Sequence, residues 1–167
     1  PVQFGEPKGI RMGFYEAGPQ TDTPPVVRCH GWPELAFSWR HQLKALGAAG
    51  IRVIAPDQRG YGATDRPDPV ESYDIEHLTG DLVGLLDHLG IAKAVFVGHD
   101  WGGFIVWQIP LRPLDRVAGV VGVHTPHPNR PPAATAELFR PRLAHHTHLA
   151  PCREPARGPA TPLQPLP

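Results

Sequence analysis

Long apolar runs, cysteine and net charge are what this 167-residue sequence has least of. No apolar stretch reaches about 18 residues and no charged-then-apolar leader opens the chain, so we expect a soluble, cytoplasmic protein that does not enter a membrane. Lys plus Arg equal Asp plus Glu at 16 each. A formal net charge of zero offers no electrostatic footprint for nucleic acid or an anionic lipid surface. Of the two cysteines, Cys29 sits in an apolar run and Cys152 in a segment of quite different composition. That distribution argues against a disulfide framework and fits a reducing compartment. The length suits one domain with a real core and is too short for two large ones.

A second absence is local. From Pro141 to Pro167 there is no Phe, Trp, Tyr, Val or Ile, one acid (Glu154), and seven of the 22 prolines. Such a segment buries too little apolar surface to offset the entropy of ordering it. We expect residues 141–167 to be an irregular tail, and the abrupt change of composition to mark an out-of-frame translation of GC-rich codons.

Before that tail, strands and helices alternate. Ile10 to Tyr15 and Pro25 to Cys29 read as extended runs. Trp39, Leu43 and Leu46 recur at i, i+4, i+7, a helix that stops near Gly47 or Gly50. Ile51 to Ala55 reads as a strand closed by Pro56. Ile75, Leu78, Leu82, Leu85 and Leu89 share one helical face, with Asp74 or Ser72 as N-cap and Gly90 just past the end. Ala94 to Val97 is the next strand, Trp101 to Ile109 a helix ending at Pro110, and Val117 to Val123 the last strand. This alternation predicts an α/β fold, a mostly parallel sheet with helices on both faces.

Gly98 to Gly103, GHDWGG, stands between a strand and a helix. Small residues at Gly98 and Gly102 flank the central residue as in a G-x-S-x-G nucleophile elbow, a strained turn that lifts its nucleophile above the sheet edge. Here the central residue is Asp100, so the covalent intermediate would be an alkyl ester. An Asp after a strand also serves as a helix N-cap, and either Trp32 or Trp101 could be simple core. In PDQRGYGATD, Pro56 to Asp65, we read a structural turn that Asp57 and Arg59 hydrogen-bond into shape. It has too few glycines and no Lys-Ser/Thr for a phosphate loop. His145, His146 and His148 cluster without a carboxylate or Cys at ligand spacing, so no metal and no cofactor is expected.

HGWPE (His30 to Glu34), FSWRHQL (Phe37 to Leu43), PDQRGYGATD and GHDWGG, in this order, resemble the α/β-hydrolase superfamily and within it the epoxide hydrolases, over roughly Gly9 to Arg130. The resemblance implies an α/β-hydrolase core and Asp100 as nucleophile. It implies the backbone amides of Trp32 and Trp101 as the oxyanion hole, with their side chains walling an apolar pocket that excludes water. His30, Gly31, Pro33, Gly98, His99 and Gly102 take supporting roles, His30 as a prop for the oxyanion loop rather than a triad member. The implied partner is a small apolar epoxide. Haloalkane dehalogenases share an Asp nucleophile followed by Trp, so halide displacement is the rival chemistry. A non-catalytic fragment is the rival class.

The same resemblance calls for a late general-base His, its orienting acid and a cap with tyrosines. No Tyr follows Tyr73. We therefore expect residues 1–132 to be the N-terminal part of an incomplete core lacking its cap and last strands. Residues 133–140, including Glu137 to Arg140, would be a remnant of the cap's start, and turnover of the chain as written is not expected. His124 and His127, after the last strand, read as loop anchors. Arg28 occupies a strand position that suits an apolar side chain, and a buried unpaired Arg is costly.

Overall fold

The computed structural model describes residues 1–112 and 114–128. The expected tail, the expected cap remnant, Cys152 and the histidines at 145, 146 and 148 lie outside the described residues.

Among the described residues six strands form one sheet in the order β1-β2-β4-β3-β5-β6. They are β1 (Gln3–Gly5), β2 (Met12–Ala17), β3 (Val26–Cys29), β4 (Val53–Pro56), β5 (Ala94–His99) and β6 (Val117–Val123). β3 pairs in parallel with β4 and β5, and β5 with β6, while β1 and β2 join antiparallel at one side. The parallel strands are the apolar runs of the sequence. Between buried faces a strand needs apolar side chains on both sides, which Val53 to Ala55 supply with no exposed surface. No sequence pattern marks β1, and the strand expected over Ile10 to Tyr15 begins two residues later at Met12.

Helices cover both faces, as the alternation predicts. On one side α1 (Arg40–Ala48) sets Leu43, with Trp39 just before it, against Val53 and Ala55. On the other, α2 (Ile75–His88) and α3 (Trp101–Gln108) bury Leu82, Leu85, Leu86, Ile105 and Val106 against Met12, Phe14, Val27, Ile54 and Phe96. Each such side chain taken fully from water contributes about 1.5–3 kcal/mol. Helix α2 starts where Asp74 accepts a hydrogen bond from the amide of His77. That bond satisfies one of the orphan donors of the first turn and holds the Asp74 carboxyl below its ordinary range.

Arg28 is half-buried on β3, its guanidinium 4.6 Å from the centre of the Trp39 ring. Its Nε and the Trp39 indole nitrogen are buried without a hydrogen-bond partner. The cation–π contact offsets part of that cost, and burial draws the Arg28 pKa down. Cys29 is fully buried, which pushes its thiol up to about 12.

Candidate active site

The carboxyl ends of parallel strands are where an open α/β sheet offers a crevice. Three segments meet there: the turn after β3, the junction of β5 with α3, and the residues after β6. At the junction Asp100 holds φ 53° and ψ −120°, a conformation that costs a residue with a β-carbon about 1–3 kcal/mol. Though it occupies the N-cap position of α3, its side chain makes no capping bond. Its Oδ1 instead accepts the backbone amide of Trp32 at 3.1 Å. The helix-cap alternative for this Asp therefore does not describe the geometry.

Backbone contacts keep Asp100 in place. Its amide donates to the carbonyl of Val123, and its carbonyl accepts the Thr125 hydroxyl at 2.7 Å and the amide of Phe104 at 3.1 Å. The glycines around it permit close approach. A β-carbon on Gly98 would strike the backbone of Gly102 and Gly103, and one on Gly102 the carbonyls of Cys29 and His30. A β-carbon on Gly31 would fall 2.6 Å from Asp100 Cβ and 2.7 Å from its Oδ1. Thus α3 is drawn onto the end of β3, and the turn after β3 onto the carboxylate.

His30 is fully buried. Its Nε2 accepts the amide of Gln58 at 3.0 Å, and its Nδ1 lies 3.0 Å from the carbonyl of Gly31. Those partners require the neutral ring with the proton on Nδ1. Burial agrees, holding its pKa below the ordinary histidine value. The side-chain amide of Gln58 donates back to the carbonyl of His30, and the edge of Tyr61 packs on the ring. Burial and the charge of Asp100 push the Tyr61 hydroxyl up. Pro33 follows a cis peptide bond. The neighbouring PDQRGYGATD turn is held by Asp57, whose carboxylate accepts the amides of Ala36 at 2.8 Å and Ala63 at 3.0 Å. Arg59 pairs with Asp81 of α2 through two bonds of 2.8 and 2.6 Å, both side chains almost wholly buried.

The indoles differ from expectation. Among the described residues both are largely exposed, Trp32 at 62% and Trp101 at 60%, the latter edge-on to Phe104. His99 contacts Glu34 and His124, and His127 lies against the ring of Trp107. Glu34 belongs to the HGWPE motif but its contact with His99 has no local signal, and Thr125 does not stand out in the sequence. A hydroxyl shortly after the strand beside the elbow is the one signal that could have marked Thr125. Among the described residues no cluster of three or more His, Cys, Asp or Glu could hold a metal, and no helix is long and apolar enough to cross a membrane.

Residues 24–149 match the sequence profile of the alpha/beta hydrolase fold. Epoxide hydrolase A of Mycobacterium tuberculosis is 50% identical over 138 residues, covering 83% of this chain and 42% of that protein. Bifunctional epoxide hydrolase 2 of Sus scrofa is 44% identical over 133 residues, 79% of this chain and 23% of that one. The crystal structure of epoxide hydrolase A from Mycobacterium thermoresistibile superposes with a TM-score of 0.74 at 48% identity, covering 85% of this chain and 44% of that one. The chain spans under half the length of these relatives.

Proposed function

The chain belongs to the alpha/beta hydrolase fold family, and from that premise we propose that it opens small apolar epoxides through an ester on Asp100. The observation that carries this reading is the strained, uncapped Asp100 with the amide of Trp32 on its Oδ1. Since Oδ1 is occupied, Oδ2 is the attacking atom. It approaches an epoxide carbon from the side opposite the ring oxygen. As the new C–O bond forms the ring C–O bond breaks, and the ring oxygen keeps the electron pair and takes up a proton to become a hydroxyl.

Release needs water to add to the ester carbonyl. The carbonyl electrons then move onto Oδ1, where the amides of Trp32 and Trp101 hold the negative charge, and collapse frees the vicinal diol and the carboxylate. The proton donor to the ring oxygen and the base that activates water are not assigned to any described residue, so the described residues account for ester formation on Asp100, and release of the diol is the step of the whole fold that they do not supply. The exposed faces of Trp32, Trp101 and Phe104 supply apolar surface for a substrate without charge. We place the protein in the cytoplasm, a reading supported by sparse cysteine with Cys29 buried as a thiol.

Incubating the chain with styrene oxide and mapping the product by peptide mass spectrometry tests the proposal. One substrate equivalent on Asp100, absent from D100A, is the expected result. Chloride release from 1-chlorobutane with no epoxide adduct would favour halide displacement instead, and no reaction with either compound overturns both readings.

A further inference from the structure

Thr125 is half-buried just past β6, and it reaches the elbow from the strand beside it. Its hydroxyl donates to the carbonyl of Asp100 at 2.7 Å, while the carbonyl of Val123 accepts the amide of Asp100 at 3.2 Å. The end of β6 therefore holds the backbone of Asp100 on both sides, at the residue whose φ of 53° and ψ of −120° are strained. Thr125 is in turn held by α3, since the indole N–H of Trp107 donates to its carbonyl at 3.1 Å. Two glycines make this approach possible. A β-carbon on Gly103 would lie 2.6 Å from Cβ of Thr125, and one on Gly122 would lie 2.7 Å from the Thr125 carbonyl oxygen and strike the Trp107 indole.

The carbonyl that Thr125 holds belongs to the peptide group joining Asp100 to Trp101. Such a group is planar, and in its trans form the carbonyl and the following N–H point opposite ways. Fixing the oxygen therefore fixes the aim of the Trp101 amide. As the first residue of α3, Trp101 has an N–H for which the helix itself provides no acceptor. The Asp100 carbonyl also accepts the amide of Phe104 at 3.1 Å, so α3 supplies one anchor and Thr125 the other. With the helix bond alone the peptide can rock about that bond, and a second donor from a different element removes the freedom. Two donors on one carbonyl also polarise the amide, which strengthens the hydrogen bond its N–H can give.

We propose that Thr125 is a positioning residue for the nucleophile, its hydroxyl pinning the Asp100–Trp101 peptide so that the carboxylate and the Trp101 amide keep one alignment. It acts through the backbone of Asp100, with Trp107 as its support. The consequence for ester formation rests on the reading of Asp100 as nucleophile.

Carbon-13 and nitrogen-15 NMR of the full chain tests the pinning without any substrate. The carbonyl carbon of Asp100 and the amide nitrogen of Trp101 report hydrogen bonding at that peptide. T125V keeps the branched side chain and removes the donor, whereas T125S keeps the donor and removes a methyl group. Both resonances should move in T125V and return to their wild-type positions in T125S. If T125V fails to fold, T125A carries the same comparison. Adduct formation with styrene oxide, measured in parallel over a range of concentrations, should have a limiting rate about fivefold to tenfold lower in T125V, the weight of one hydrogen bond. The half-saturating concentration should stay unchanged, and T125S should recover the rate. Resonances that stay in place in T125V overturn the proposal, and so does a shift with no loss of rate. If the wild type forms no adduct, the nucleophile reading fails while the resonances still decide the pinning. If adduct forms at equal rates in the wild type and T125V, the positioning role alone fails.

Discussion

The amide of Trp32 and the carboxylate of Asp100, 68 residues apart in the chain, share a hydrogen bond of 3.1 Å. Only a residue without a side chain at position 31 lets the two come together, because a β-carbon there would sit 2.7 Å from Asp100 Oδ1. The variant G31A should therefore fold with its sheet intact yet lose ester formation on Asp100 by about 100-fold, the scale of a 1 Å misplacement of a reacting group. Circular dichroism and the rate of styrene oxide adduct formation measure the two halves of this expectation.

Strain at the elbow can be weighed with two variants that share the loss of the carboxylate. At φ 53° and ψ −120°, alanine keeps the β-carbon that makes the conformation costly and glycine removes it. D100G should be more stable than D100A by about 1–3 kcal/mol in urea denaturation. Equal stabilities would mean that the turn stores no strain.

Protonation of His30 should weaken the fold. Its folded pKa is depressed by burial, so the stability it contributes is complete above the ordinary histidine value of about 6.5 and is lost as pH falls through the lower folded value. The structural reason is the Gln58 amide, which would face an N–H in place of a lone pair. Urea midpoints should hold level from about pH 8 to 7 and decline below about 6.5. H30Q, which removes the titrating ring at position 30, should be less stable at about pH 8 and show a shallower decline than the wild type.

The pair Arg59–Asp81 joins the turn after β4 to α2, and the carboxylate holds the guanidinium above its ordinary pKa. Removing one partner leaves a buried charge alone. D81A should cost about 3–5 kcal/mol, whereas the double variant R59M/D81L should recover most of it. A double variant no more stable than D81A would show that the pair acts through shape rather than charge.

Much of this arrangement is legible in the residues themselves. Helix α2 follows from the spacing of Ile75, Leu78, Leu82, Leu85 and Leu89, because one apolar stripe has only one way to be buried. The parallel strands follow from runs such as Val53 to Ala55. β1 was missed because three residues at a sheet edge carry no alternation to read, and edge pairing rests on backbone bonds that any side chain permits. The elbow was visible as glycines around an acid, but its long-range partners were not. Glu34 reaches His99, and Thr125 reaches the carbonyl of Asp100, across loops whose geometry no local pattern encodes. Asp81 was open to discovery: an acid beside Leu82 on a buried helix face requires a cation, and Arg59 was already singled out.

Strand order governs when the site can come into being. β3 lies between β4 and β5, both synthesised after it, so the HGWPE turn waits at its end with no flank to rest on. Pairing with β5 closes a long loop, a slow step because its entropy is lost before its contacts form. That same step carries Gly102 under the carbonyls of Cys29 and His30 and sets Asp100 before Trp32. The carboxylate of Asp100 and the amide of Trp32 are thus brought into register by one pairing event, that of β3 with β5.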